Sequence, residues 1–165
     1  MKREKTKVAA ASEPSARSRA LGLLARREHS ARELKAKLIQ RGHGDREAGE
    51  TVEALRSRAL QSDPRFAESI ARSRSRQGYG PRRIRAELKS HGLPEAAIRA
   101  ALEALDADWT ANAAAACRRH YGRAAPADPA ERARRAQFLL RRGFDPATVR
   151  AVTRAEIDDP GEEFD

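Results

Sequence analysis

The sequence predicts an all-α fold, an elongated tandem array of three three-helix repeats of about 50 residues each. Three observations predict it. The first is a recurrence: Leu34-Lys35-Ala36-Lys37-Leu38-Ile39-Gln40-Arg41-Gly42 returns as Ile84-Arg85-Ala86-Glu87-Leu88-Lys89-Ser90-His91-Gly92, and more loosely as Arg135-Ala136-Gln137-Phe138-Leu139-Leu140-Arg141-Arg142-Gly143. The glycines stand 50 and 51 residues apart (42 to 92, 92 to 143). A fixed period of that size marks one supersecondary unit copied in tandem. The second is helix punctuation, with caps and Pro at starts and Gly at stops. The third is apolar spacing at i, i+4, with no segment alternating at period two.

The elements follow in order. Residues 1–16 mix Lys, Glu, Ser and Pro without periodicity and are expected to be a disordered basic tail. The first repeat, 17–61, is expected to hold helices over 17–28, 30–41 and 45–59. Ser30-Ala31-Arg32-Glu33 is a capping box, Leu34 and Leu38 are an i, i+4 apolar pair, and Gly42 is a left-handed helix stop. The second repeat, 62–105, is expected over 63–77, 80–91 and 94–105. Asp63-Pro64 and Gly80-Pro81 each offer an N-cap followed by Pro at the first helical position, and Leu93-Pro94 is a poorer version. Phe66/Ile70 and Ile84/Leu88 are i, i+4 apolar pairs, Ile98/Leu102/Leu105 continues the i, i+4, i+7 pattern expected of a buried stripe, and Gly92 is expected to end the middle helix. The third repeat, 106–155, is expected over 107–121, 129–142 and 146–156, started by Asp128-Pro129 and Asp145-Pro146 and interrupted by Gly143. Aligning the repeats on their glycines puts Ala48, Ile98 and Val149 at the same offset of +6, an agreement independent of the glycine spacing. Residues 156–165 are expected to be a disordered acidic tail.

Composition turns this architecture toward binding. Hydrophobic residues make up 39% and aromatics 4%, enough for thin helix–helix cores but not for one thick core. A stacked array encloses no pocket by default; what it offers is a long surface. The net charge of +10 implies a polyanionic partner or a solvated basic surface. That charge divides as +4 in residues 1–19, −6 in 155–165 and +12 between them, and all three repeats share the +12. A basic body with an acidic tail can fold the tail back on itself; the plainer reading is a solubilising appendage. The single cysteine excludes an internal disulfide and fits a reducing compartment. There is no apolar run of membrane-spanning length and no secretory h-region, so a cytoplasmic protein without membrane contact is expected.

No constellation suggests catalysis. Gln77-Gly78-Tyr79-Gly80-Pro81 carries two glycines but joins helix to helix, so it reads as a tight turn, not a phosphate loop. Cys117 and His120 have C-x-x-H spacing without the further ligands zinc needs. Glu68 and Glu87 are interspersed with arginines and read as surface pairs. Trp109 and Tyr121, at the two ends of one helix, read as core packing in preference to base stacking. The expectation is no enzyme, no catalytic residue, no cofactor and no metal.

The arginines are the candidate site. Arg65, Ser69, Arg72 and Arg76 share one face of the first helix of the middle repeat, beside the stripe of Phe66 and Ile70. On the next helix Arg82, Arg85 and Lys89 form a stripe away from Ile84 and Leu88. Arg grips carboxylate and phosphate bidentately, so Arg65, Arg72, Arg76, Arg82, Arg85 and Lys89 are the expected partner-binding residues. The alternative is a solvated polar face.

Several of these segments resemble the RecX family. Ala25-Arg26-Arg27-Glu28-His29-Ser30 with Glu33-Leu34 and Leu38 is similar to its opening. Asp63-Pro64-Arg65-Phe66-Ala67-Glu68-Ser69, Gln77 to Pro81 and Arg83-Ile84-Arg85-Ala86-Glu87-Leu88 resemble its central signature. Phe138-Leu139-Leu140-Arg141-Arg142-Gly143-Phe144 resembles its closing one. Gly42, Phe66, Tyr79, Gly80, Ile84, Leu88, Gly92 and Gly143 are then the structural signature. The resemblance implies a bacterial regulator that binds RecA filaments and limits their growth, strand exchange and coupled ATP hydrolysis. Single- or double-stranded DNA is the expected weaker partner, and a monomer the expected state. Gln61-Ser62 departs from the more usual Leu-Asp, and the acidic end is not a family feature. The rival reading is a general helical DNA-binding protein without a protein target.

Overall fold

A computed structural model describes residues 13–154, and among them it has nine α-helices and no strand. They are α1 (Ala16–Leu24), α2 (Ala31–Gln40), α3 (Asp45–Ser57), α4 (Asp63–Arg76), α5 (Pro81–Ser90), α6 (Glu95–Glu103), α7 (Trp109–Tyr121), α8 (Pro129–Arg141) and α9 (Pro146–Thr153). The predicted all-α, three-helix tandem fold is what forms. Each repeat buries its own core: Leu34, Leu38, Val52 and Leu55 in the first; Phe66, Ile84, Leu88 and Ile98 in the second; Leu139, Phe144 and Val149 in the third. Ala48, Ile98 and Val149, matched by their offset, are all fully buried. Helix packs on helix chiefly within a repeat.

The glycine stops obey one geometry. After α2, α5 and α8, Gly42, Gly92 and Gly143 take φ of +92°, +79° and +85°. In α5 the Gly92 N–H donates to Lys89 O (2.9 Å) and the Leu93 N–H to Leu88 O (3.4 Å). The same pair of bonds recurs at Gly143 and Phe144, and at Gly42 and His43. This is the Schellman arrangement, which only a residue at home with positive φ completes without strain.

The starts depart from local expectation in an informative way. Ser30 Oγ does accept the Glu33 N–H (3.0 Å), but the Glu33 carboxylate turns to Arg27, so half the capping box forms. Ser62, not Asp63, caps α4. Asp63 reaches into the first repeat, where its Oδ1 accepts the orphan N–H of Ala31 at the start of α2 (2.8 Å) and Gln61 Nε2 (2.9 Å). Asp145 caps α9 by backbone alone, because its carboxylate accepts Arg82 Nε of the second repeat (2.8 Å). Asp128 behaves as expected, accepting the Glu131 N–H at 2.7 Å.

α1 ends at Leu24, before the expected 28. Its last carbonyls are taken by a tightened turn, the Arg26 and Arg27 N–H groups both pointing to Leu23 O. The chain thereby delivers Glu28 and His29 to the junction with the second repeat. Of the expected tails, 1–12 and all of 156–165 lie outside the described residues, as does residue 155 of the expected third repeat. Ser15 caps α1 (3.2 Å to Ser18 N) and Ala16 is buried in it, so that helix begins inside the stretch assigned to the basic tail.

Two junctions repeat the same geometry. The start of α2 meets the end of α5, with Ser30 Oγ 3.3 Å from His91 Nδ1 and Arg32 Nη1 donating to Ser90 O (3.3 Å). The start of α5 meets the end of α8 more closely, with the Gly80 N–H donating to Arg142 O (2.7 Å) and the Arg82 N–H to Gly143 O (3.0 Å). The Gln77 to Pro81 turn is therefore a junction piece as well as a tight connection. Trp109 packs against the cores of both the second and third repeats.

The first junction buries His29, which is 3% exposed. Its Nδ1 lies 3.0 Å from Arg27 O, its Nε2 3.9 Å from Glu33, and its carbonyl accepts Gln61 Nε2 (3.1 Å). Burial pushes its pKa below the ordinary 6.5. The unfolded chain then takes up a proton first as pH falls. Stability is full above 6.5 and is lost as pH drops through 6.5 toward the lowered folded value. Denaturation midpoints between pH 7.5 and 5 are expected to show this fall, and His29→Gln to flatten it.

Candidate partner-binding surface

The middle repeat positions its arginines by tying α4 to α5. Arg74, which was not among the expected residues, donates Nε and Nη2 to the two oxygens of Glu87, both at 2.7 Å. This fork holds the two helices in register, and its hydrogen bonds raise the pKa of Arg74, keeping it charged. Glu87 is thus the surface partner expected of it, and Glu68 lies 3.9 Å from Arg72.

The six expected binding residues divide into groups. Arg65 acts as a clamp: Nε donates to Glu28 (2.9 Å), Nη1 to Ala59 O (2.9 Å) and Nη2 to Leu60 O (3.2 Å). All three of its nitrogens hold the first repeat, Nε the connection between α1 and α2 and the other two its end. Arg82 is mostly covered and bound to Asp145 of the third repeat. Arg85 pairs with Glu95 at the start of α6. Arg72, Arg76 and Lys89 are exposed. The Arg72 side chain is 58% exposed, and its long pair with Glu68 is worth only about 0–1 kcal/mol, which leaves it able to exchange partners. The candidate surface therefore centres on Arg72 and Arg76, one turn apart on α4, and on Lys89 at the end of α5.

Phe66, Ile84 and Leu88 are fully buried, and the Phe66 and His91 rings meet in a T-shaped contact with centroids 4.8 Å apart. Tyr79 carries two guanidinium groups over its ring, Arg142 at 4.7 Å and Arg83 at 5.5 Å. In the third repeat Arg135, 7% exposed, pairs with Glu131, donates to Ala124 O (2.9 Å) and lies 5.2 Å over Tyr121. It pins the long connection between α7 and α8. Cys117 is a buried thiol whose pKa burial raises, and no group of potential metal ligands occurs among the described residues. The return of the acidic tail to the basic body concerns residues outside those described.

Comparison with known proteins matches all three repeats. The family models described as the first, second and third three-helix domains of RecX match residues 16–55, 62–102 and 106–153. The chain is 48% identical over 141 residues to the regulatory protein RecX of Stenotrophomonas maltophilia, covering 86% of each chain. It is equally identical to that of Xanthomonas axonopodis pv. citri, covering 86% of this chain and 87% of the relative. The fold resembles a crystal structure of RecX from Lactobacillus salivarius (TM-score 0.68, 20% identity, 84% and 92% of the two chains). It also resembles a second structure of regulatory protein RecX (TM-score 0.70, 21% identity, 84% and 70%).

Proposed function

The chain belongs to the RecX family, and from that premise we propose that it binds nucleoprotein filaments of the RecA recombinase. It seats in the filament groove and inhibits filament growth, strand exchange and DNA-dependent ATP hydrolysis. Its curated relatives carry the name of a regulator. The observation that carries the reading is the division of the middle-repeat cations. Arg65 and Arg82 are spent on the junctions, while Arg72, Arg76 and Lys89 stay exposed on helices that those junctions fix relative to the neighbouring repeats. A jointed array bearing spaced cations meets a repeating partner at several points, and linked weak contacts add through effective concentration. It works as a monomer, in the cytoplasm, with DNA as a weaker partner.

The +12 body also favours the rival reading, a binder of bare nucleic acid. Salt separates the two. Phosphate contacts release counterions, so affinity for bare DNA falls steeply with ionic strength. Co-sedimentation with RecA filaments and with protein-free single strands, at roughly 50 and 200 mM salt, is expected to show a preference for filament that persists at the higher salt. A preference that vanishes there leaves DNA binding as the function.

A further inference from the structure

The junction between the second and third repeats contains a recess of about 220 Å³ lined by Gln77, Ala116, Arg119, His120, Phe138 and Arg142. Among the described residues no carboxylate lines it. Arg142 is held in place, its Nη1 donating to Gln77 O (3.1 Å) and its guanidinium lying 4.7 Å from the Tyr79 centroid and 5.2 Å from that of Phe138. The His120 ring stacks on Phe138 at 4.4 Å and 11°. Arg119, on the last turn of α7, rests against Gly78, where a Cβ would stand 2.6 Å from its Nη2. Among the described residues neither Arg119 nor Arg142 has an ion-pair partner, whereas Arg74, Arg82 and Arg135 each have one. The glycine thus makes room for an unpaired guanidinium beside a fixed one.

We propose that this recess receives one carboxylate side chain, glutamate or aspartate, presented by a protein partner; the partner's identity rests on the RecA reading above. Two guanidinium groups match a carboxylate's two oxygens by charge-assisted, bidentate bonds. Ala116 and Phe138 supply apolar wall for the methylenes of an acidic side chain, a stem-and-head division long polar side chains favour. A backbone phosphate fits less well. It carries a sugar on either side and belongs to a row of charges, so it calls for an open cationic track and not a single recess.

Two variants test this. Arg119→Gln removes the unpaired charge from an exposed position. Gln77→Glu adds a carboxylate to a residue that lines the recess and keeps an acceptor for Arg74 Nη1, which donates to Gln77 Oε1 at 3.0 Å. Each is expected to weaken binding to RecA filaments by about tenfold or more while leaving affinity for bare single-stranded DNA unchanged. In the isolated protein, N-acetylglutamate is expected to shift the Arg119 Nε–Hε resonance, N-acetylglutamine to leave it still, and Gln77→Glu to blunt the response. An equal loss of DNA affinity overturns the proposal in favour of phosphate. Unchanged filament binding by both variants, or no response to N-acetylglutamate, overturns it outright. Failure of the unsubstituted protein to bind filament sinks the RecA reading instead, and the resonance experiment then decides the recess alone.

Discussion

Reversing Arg72, Arg76 and Lys89 to Glu together is expected to cut affinity for RecA filaments on the order of 100-fold while changing folding stability by about 1 kcal/mol. All three side chains are exposed, and the long contact between Arg72 and Glu68 is the sole ion pair among them in the described residues. Arg76 and Lys89 sit in the last turns of α4 and α5, where a cation favours the helix dipole by roughly 0.3–1 kcal/mol each. That sets the small stability cost. The binding cost is larger because three attractive contacts become repulsive at once. Arg65→Ala and Arg82→Ala act in the opposite way. Each breaks a junction, so stability falls first and binding only as its consequence. Stability lost with binding intact in the triple variant assigns those side chains to structure and removes them from the partner surface.

The second large effect falls on the junction. A Cβ at Gly80 would overlap Gly143 O and C and Phe144 N, all of them backbone. No flexible side-chain end is available to yield, so the two repeats must separate. Gly80→Ala is expected to cost about 2–3 kcal/mol, the range of overpacking in a close-packed interior. Gly22→Ala is the matched control: that glycine is helical and exposed with nothing within 4 Å. There the same substitution stabilises by about 0.5–1 kcal/mol, because alanine loses less freedom than glycine in a helix. Trp109 is the chain's single tryptophan and packs against the cores of both repeats, so its fluorescence reports this junction directly. With separate cores in each repeat, Gly80→Ala is also expected to split one unfolding transition into two.

Local signals were legible because their physics is local. A glycine that must take positive φ, a Pro without an N–H and an apolar i, i+4 pair act within one helix, and they located Gly42, Gly92, Gly143, the buried pairs of α2 and α5 and Phe66 of α4, whose partner Ile70 is half-buried. What escaped is competition between near and far partners for the same group. Asp63 and Asp145 have the right chemistry to cap their own helices, yet each carboxylate goes to the neighbouring repeat. Glu33 leaves its capping box for Arg27. The end of α1 has no glycine or proline to mark it, and the turn that follows brings His29 into the junction, where it is buried.

The candidate site shows the same limit. Helical spacing separates cations from the core stripe, and it selected all six. It does not reveal which of them another repeat will claim. Arg65 was claimed by the distant Glu28 carboxylate and the nearby Ala59 and Leu60 carbonyls, Arg82 by the distant Asp145, and Arg85 by Glu95. Arg119 escaped because its environment depends on Gly78, 41 residues earlier (119 less 78), which leaves space for its guanidinium.

The central claim is that this chain acts on the RecA filament and not on its DNA. The single-strand-dependent ATPase of RecA, titrated with the protein at low and at moderate salt, tests it most directly. The account predicts suppression at amounts well below one molecule per RecA protomer, retained as salt rises. Inhibition that begins only when enough protein is present to coat the DNA, and that disappears at moderate salt, contradicts it.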